Sequence, residues 1–427
     1  MRQRIRLTDE AKYNLLRDIS YKIRDTLDLD IILNHLLDAL KTVMNYDAAG
    51  IFVLSEDIER SNYHFSGQKI AGIAKRGYKR TDKSDEMLFK GKGIIGCVIK
   101  TGESMVIPDV RADSRYVIGR RQTLSEITVP IFRNDRAIGA LDVESDHLSA
   151  FDETELEILQ FFADAAAISI EKAILHNQIL EKKKIEEQLK IAKDVQSSLL
   201  PAESPTIKGY DLAGLCIPTY EIGGDYYDYI KLDENRFAII IADVSGDGIP
   251  AALIMAAFRA VLHNQIRVYN EPNKLMMQLN DQLSVFTRAR DFISVFLGVL
   301  NFYEHSLTYT NCGHNPPILF RSNGKEELLE RGGPSLNIVK DTTYETGKIK
   351  LNEADQIVLY TDGVVEIFNQ DFDEFGVDRL KDIARRSLTE NASSMIGKIV
   401  EATREFSQSH LYKDDYTLLV VKRKTDR

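Results

Sequence analysis

A chain of 427 residues that is 44% hydrophobic is longer than one core ordinarily supports and apolar enough for two, which argues against intrinsic disorder. Its net charge of −10, with acidic residues spread throughout, disfavours a nucleic-acid-binding surface and suits divalent cations. Cys97, Cys216 and Cys312 lack paired spacing, no apolar stretch reaches the roughly 20 residues of a membrane helix, and Met1-Arg-Gln-Arg-Ile-Arg6 lacks the apolar core of a signal peptide, so a soluble, cytoplasmic protein with reduced thiols and no membrane partner is expected.

Apolar spacing over residues 7–42, ending in Ile31, Leu33, Leu36, Leu37 and Leu40, predicts a helix, and Ala48-Ala-Gly-Ile-Phe-Val-Leu54 predicts the strand that follows. Further strands are expected at residues 70–74, 104–107, 126–131 and 137–143. A long helix starts near Asp152, where Phe151-Asp-Glu-Thr-Glu-Leu156 sets acidic groups on the exposed amides and positive end of the first turn. Farther on, Leu175, Ile185, Leu189, Ala192, Gln196 and Leu199 share one seam, Glu181-Lys-Lys-Lys-Ile-Glu-Glu187 is solvated charge, and Leu200-Pro201 closes the helix. The seam suits a parallel coiled-coil homodimer. Gln178 and Lys182 within it leave open a single amphipathic helix lying against its own domain. Beyond it, strands are expected at 237–243, 293–300 and 356–360, with helices from Pro250 and over 377–386.

Residues 11–177 resemble a GAF domain. The resemblance rests on Gly91-Lys-Gly-Ile-Ile-Gly-Cys-Val-Ile-Lys-Thr-Gly-Glu103, Ile107-Pro-Asp-Val-Arg-Ala-Asp-Ser-Arg-Tyr116, Val129-Pro-Ile-Phe132 and Ile138-Gly-Ala-Leu-Asp-Val143. It implies an α/β sensor module that binds a small ligand or transmits a signal as a dimer, and no ligand is named by these residues. Phe151-Asp-Glu153 matches the end of a cyclic-nucleotide motif whose preceding Asn-Lys pair is absent here. Cys97 falls in an apolar stretch and is expected to be a buried structural thiol rather than a chromophore attachment.

Four aspartates in the second half stand beside glycines or at the ends of apolar runs, where a sheet gathers carboxylates around hard cations. They are Asp225 in Glu221-Ile-Gly-Gly-Asp-Tyr-Tyr-Asp228, Asp243 in Asp243-Val-Ser-Gly-Asp-Gly248, Asp362 in Tyr360-Thr-Asp-Gly363, and Asp414 in Asp414-Asp-Tyr-Thr417. Alone, an Asp-Gly pair such as Asp362-Gly363 or Asp247-Gly248 is a turn; the joint occurrence points to a metal-assisted hydrolase. Together with Ala192-Lys-Asp-Val-Gln-Ser-Ser-Leu-Leu-Pro-Ala202 and Asn311-Cys-Gly-His-Asn-Pro-Pro317, these motifs make the region from about Ile191 resemble the SpoIIE-like branch of the metal-dependent serine/threonine protein phosphatases, the PPM family.

The resemblance implies an α-β-β-α sandwich, two antiparallel sheets flanked by helices, holding two divalent cations, Mn²⁺ or Mg²⁺. Asp243 would bridge the two, with the Val244 backbone carbonyl on one; Asp225 would serve one ion, Asp362 and Asp414 the other. These four aspartates would be catalytic through a metal-activated water that attacks phosphorus without a phosphoenzyme. The implied substrate is phosphoserine or phosphothreonine on a partner protein, an anti-sigma-factor antagonist. Asp228 and Asp415 neighbour these ligands, and strand alternation assigns them supporting roles. His314 is expected to be a structural loop histidine, and Asp247 stands where relatives carry His or Lys. No arginine in a motif offers to clamp the phosphate.

Cysteine-nucleophile phosphatases need an arginine six residues after the cysteine, and no Gly-x-x-x-x-Gly-Lys-Ser/Thr segment is present. The catalytic aspartates and the Gly-His-Asn-Pro segment do not resemble the ATP-binding module of a sensor histidine kinase. The competing reading is a pseudophosphatase that binds a partner without catalysis, and ligands at all four positions argue against it. The expected whole is α+β: a GAF sensor over residues 1–177 with an N-terminal helix, a helical and coiled-coil linker over 178–200, and a phosphatase over 201–427.

Overall fold

The computed structural model describes residues 28–54, 70–79, 90–269, 271–285, 287–288, 290–408 and 413–425. The start of the first expected helix lies outside them. The chain forms two compact units, Met1–Lys184 and Ile185–Arg427, with the division falling inside the long helix.

In the first unit, α1 (Leu29–Val43) begins where the Asp28 carboxylate accepts from the backbone N–H groups of Asp30 and Ile31, satisfying two donors that have no helical partner. Five strands follow: β1 (Ala48–Leu54), β2 (Ile70–Arg76), β3 (Met105–Ile107), β4 (Ser125–Arg133) and β5 (Arg136–Ser145). They pair antiparallel in the order β2-β1-β5-β4-β3. Asn134 and Asp135, both at positive φ, make the tight turn between β4 and β5. Every residue of β1 is buried because the sheet is covered on both faces. Ala49, Ile51 and Val53 pack with α1 and the first turns of α3 (Glu153–Ser197), through Leu36, Leu40, Leu159 and Phe162. Phe52 and Leu54 pack with α2 (Gly93–Thr101), through Ile95, Val98 and Ile99. Cys97 corrects the sequence-based expectation of a buried thiol, since it is only half-buried on α2.

The α2 face of this sheet also carries three buried carboxylates, Glu126, Asp142 and Glu144. Thr128 donates to Asp142 at 2.6 Å, Tyr78 donates to Glu144 at 2.8 Å, and Thr123 donates to the other Glu144 oxygen. Burial first, then the Asp142 charge, pushes Glu144 up to about 7, and Glu126 and Asp142 are raised as well.

The second unit is two sheets face to face between helices. One sheet runs β13-β10-β9-β8-β7, from β7 (Tyr226–Lys231), β8 (Arg236–Val244), β9 (Ile293–Asn301), β10 (Ser306–Cys312) and β13 (Gly332–Gly333), with β14 (Gly347–Lys350) also paired to β10. The other runs β12-β11-β15-β16-β6, from β6 (Tyr210–Ile217), β11 (Ile318–Phe320), β12 (Glu326–Leu328), β15 (Gln356–Tyr360) and β16 (Tyr416–Arg423). Strand alternation sorts three cores. Ile239, Ile241 and Phe296 meet Ile357, Leu359, Leu419 and Val421 between the sheets. Ala238, Ile240 and Ala242 face outward onto α4 (Gly248–Gln265) and α5 (Pro272–Leu283). Val358, Leu418 and Val420 face α7 (Gly376–Arg386) and α8 (Ala392–Ser407), while the one-turn α6 (Asp362–Val365) follows β15. The result is the expected α-β-β-α sandwich.

Ile185–Arg427 also holds the last turns of α3. Ile185, Leu189, Ala192 and Gln196 of these turns, with Leu199 just beyond them, border an apolar groove of about 410 Å³ whose other wall is Ile222 and the α4 residues Ile249, Ala252, Leu253 and Ala256. Leu199 and Leu200 pack against the core under α4.

Candidate metal centre

Alternation along β8 turns Ile239 and Ile241 toward the second sheet, so Asp243, two residues on, points the same way at the end of the sandwich. On β15, Ile357 and Leu359 face the first sheet, and Thr361 continues that series just before Asp362 opens α6. Asp225 precedes β7, and Asp414 precedes β16. The four aspartates singled out in the sequence therefore converge from four strand ends.

Their electrostatics record the approach. Asp225 is buried, and burial together with the Asp243 charge raises its pKa well above the carboxylate range. Asp243 is pushed up to about 7 by burial and by the charges of Asp362, Asp414, Asp415 and Asp247. Burial leads again for Asp362, helped by Glu366, and for Asp414, helped by Asp362, Asp415 and Asp247. Each of these four aspartates is destabilised in its charged form, and acids are among the neighbours that crowd it.

Residues outside the expected set hold the frame. The Asp415 carboxylate accepts from the N–H groups of Thr219 (2.8 Å), Gly224 (2.6 Å) and Asp225 (3.2 Å), tying down the loop that carries Asp225. It precedes β16, where strand alternation does not yet operate, and so turns toward that loop rather than away. Asp228 does follow alternation: it faces α4, accepts from Tyr226 Oη at 2.5 Å and meets His263 Nε2 at 2.7 Å. Thr361 Oγ1 donates to Asp225 at 2.8 Å while accepting from the Thr417 N–H at 3.0 Å, bracing Asp225 across the sandwich. Thr361 sits within the Tyr-Thr-Asp-Gly motif, and that adjacency was the signal available for it.

Close backbone approaches complete the site. A Cβ on Gly363 would lie 2.0 Å from the Asp415 carbonyl oxygen, so only glycine lets α6 start against the strand end carrying Asp414. A Cβ on Gly224 would lie 2.9 Å from the Val244 carbonyl oxygen, which sets that carbonyl beside the Asp225 loop. Gln196, on the last full turn of α3, donates to the Gly223 carbonyl at 2.7 Å and accepts from the Gly223 N–H at 3.1 Å.

A pair of divalent cations fits this donor set. Hard oxygen donors surround the space, their mutual repulsion is what a cation relieves, and the hydroxyl of Thr219, whose N–H is held by Asp415, is buried without a hydrogen-bond partner. Among the described residues, no three His, Cys, Asp or Glu side chains are drawn together tightly enough to hold an ion by themselves. That is compatible with Mg²⁺-type binding, which takes one or two carboxylates and completes its shell with water.

Residues 233–424 match the family model for stage II sporulation protein E, and residues 26–171 match that for the GAF domain. The phosphoserine phosphatase RsbU of Bacillus subtilis is 30% identical over 241 residues, covering 56% of this chain and 71% of RsbU. The phosphoserine phosphatase RsbP of the same organism is 27% identical over 205 residues, 47% of this chain and 49% of RsbP. The solved SiaA-PP2C domain of Pseudomonas aeruginosa shares the fold, with a TM-score of 0.52 at 21% identity over 58% of this chain and 99% of that domain. The chain belongs to the SpoIIE/PP2C phosphatase family, as RsbU does, with a GAF domain ahead of the phosphatase domain.

Proposed function

We propose that this protein is a cytoplasmic, homodimeric sensor phosphatase that removes phosphate from phosphoserine or phosphothreonine on a partner protein, with an anti-sigma-factor antagonist as the favoured substrate. The observation that carries the chemistry is the convergence of Asp225, Asp243, Asp362 and Asp414, all acids crowded enough to be raised together, at the end of the sandwich. The substrate class follows from likeness to RsbU and RsbP, both phosphoserine phosphatases.

Asp243 would contact both cations, Asp225 and the Val244 carbonyl would complete one, and Asp362 and Asp414 the other. The cations, Mn²⁺ or Mg²⁺, would supply an acidified water and neutralise charge on the phosphoryl oxygens. The chain's own part is positional. Asp415 and Thr361 fix Asp225, Gly363 sets Asp362 against Asp414, and the sheet ends hold the carboxylates where the phosphoryl group must enter.

Regulation is read from Gln196. Both ends of its amide hold Gly223, two residues from Asp225, so movement of the last turns of α3 would move a ligand. The GAF domain, over residues 1–177, would act through the linker 178–200 on the phosphatase over 201–427. The exposed Ile185 and Leu253 beside the α3–α4 groove support dimerisation along that helix.

The test is phosphate release from p-nitrophenyl phosphate and from a phosphoserine protein, with Mn²⁺, Mg²⁺ or chelator, in the wild type and Asp243→Asn. Metal-dependent turnover lowered at least about 100-fold by the substitution is expected, since each lost electrostatic contact to a transition state is worth about 10²–10³. Turnover indifferent to chelator and to Asp243→Asn would sink the two-metal reading.

A further inference from the structure

The Gly313-His314-Asn315-Pro316-Pro317 segment is where the chain leaves the first sheet, at the end of β10, and enters the second, at the start of β11. His314 is buried in this crossover at 4% exposure, and its main chain is clamped by one side chain. Asn311 accepts from the His314 N–H at 2.8 Å and donates to the His314 carbonyl at 3.0 Å. The ring Nδ1 is 2.8 Å from Ser294 Oγ, and Ser294 is the register partner of Asp243 across the β8–β9 pair. Directly paired residues point to the same face, so Ser294 and Asp243 project side by side toward the second sheet. After burial, the Tyr360 backbone, two residues before Asp362, is the group that acts on the ring's titration. Nε2 is buried and has no partner in hydrogen-bond geometry. The register Ile318↔Val358, extended by two residues, sets Tyr360 opposite Pro316 in this same segment.

We infer that His314 is a positioning residue for the metal centre: its buried imidazole, held by Ser294 in the crossover between the two sheets, sets the separation of the strand ends that carry Asp243 and Asp362. This rests on the phosphatase reading above. With Nδ1 accepting the Ser294 hydroxyl, the ring proton sits on Nε2. Burial pushes the imidazole down to about 3, so the ring stays neutral through the working pH range. A side chain that orients ligands without touching the ion ordinarily changes metal affinity by about 10–100-fold when removed.

The experiment measures Mn²⁺ affinity by the electron paramagnetic resonance of free Mn²⁺, alongside kcat and KM for p-nitrophenyl phosphate, on the full chain. The variants are His314→Ala, His314→Gln, Ser294→Ala and the double alanine. His314→Ala should weaken Mn²⁺ binding about 10–100-fold and lower kcat with KM little changed. Gln, which returns a nitrogen near the Nε2 position, should recover part of the affinity. The two alanine substitutions should be strongly non-additive, because each breaks the same link. The pH profile of the Gln variant should keep the wild-type shape, which a proton-donating histidine would not allow. Wild-type Mn²⁺ affinity in both Ser294→Ala and His314→Ala would overturn the inference while leaving the phosphatase reading intact. A wild type that binds no Mn²⁺ would overturn both.

Discussion

Asp415 accepts three backbone N–H groups from the 219–225 loop, and a carboxylate so engaged has little left to offer a cation. Its removal should therefore act through Asp225. Asp415→Ala is expected to lower Mn²⁺ affinity and kcat by about 10–100-fold, the range for partners that hold ligands in place. Asp228→Asn, on the opposite face among Tyr226 and His263, should change the thermal midpoint more than kcat, and a shared titration and melting series distinguishes the two. The sequence separated ligands from neighbours by strand alternation, which served Asp228 because it lies inside β7. It gave Asp415 a supporting role as well, though the direction in which that side chain turns was not legible because the residue lies before β16 begins, and it was blind to Thr361, whose hydroxyl matters only once β15 and β7 are brought across the sandwich from each other. Glu144 in the sensor unit was equally hidden. Nothing local marks it, and its pKa of about 7 comes first from burial on the covered face and then from the Asp142 charge, against the lowering pull of Thr123, Tyr78 and Arg120. Because its folded pKa lies above its unfolded one, the native state binds the extra proton, and stability falls as pH rises from about 4.5 to about 7. The GAF transition should melt several degrees higher at pH 5.5 than at pH 8. Glu144→Gln should flatten that dependence, and a wild-type slope in the variant would assign it elsewhere.

Among the elements, those with strong period were readable and those made by pairing were not. The strand at residues 356–360 was expected at the bounds it has, since a continuous apolar run between turns reads as a strand covered on both faces. The long helix was legible from its acidic first turn and from Leu200-Pro201 at its end. The short strands β12, β13 and β14 exist only because neighbours hold them, and no local pattern announces them. The end of α3 belongs with this second class. Its seam was legible as apolar, while the identity of its neighbour, α4 across a groove, depended on folding. Leu199 and Leu200 pack partly buried under α4, each contributing a fraction of the roughly 1.5–3 kcal/mol of a fully buried leucine. A fragment starting at Ile185 should therefore fold with a higher denaturation midpoint than one starting at Pro201, and should retain basal metal-dependent turnover. Equal midpoints would mean that these turns are not part of the phosphatase core.

At the scale of the whole chain, α3 is one continuous helix of 45 residues whose early turns are buried through Ile158, Phe162, Ala166 and Ile170 and whose last turns carry Gln196. A helix advances about 100° per residue, so it carries angle as faithfully as distance. Along an uninterrupted helix, the angle between two faces depends only on the number of residues between them. One residue inserted within the charged 181–184 stretch would turn the second face by about 100° relative to the first, whereas seven would return it to within about 20°. If the sensor speaks to the metal centre through Gln196, its control over turnover should be lost with one inserted residue and restored with seven, while the chain count and the signal stay the same. The length of the connecting helix would then act less like a tether than like a key cut, tolerant of whole heptads and intolerant of single steps.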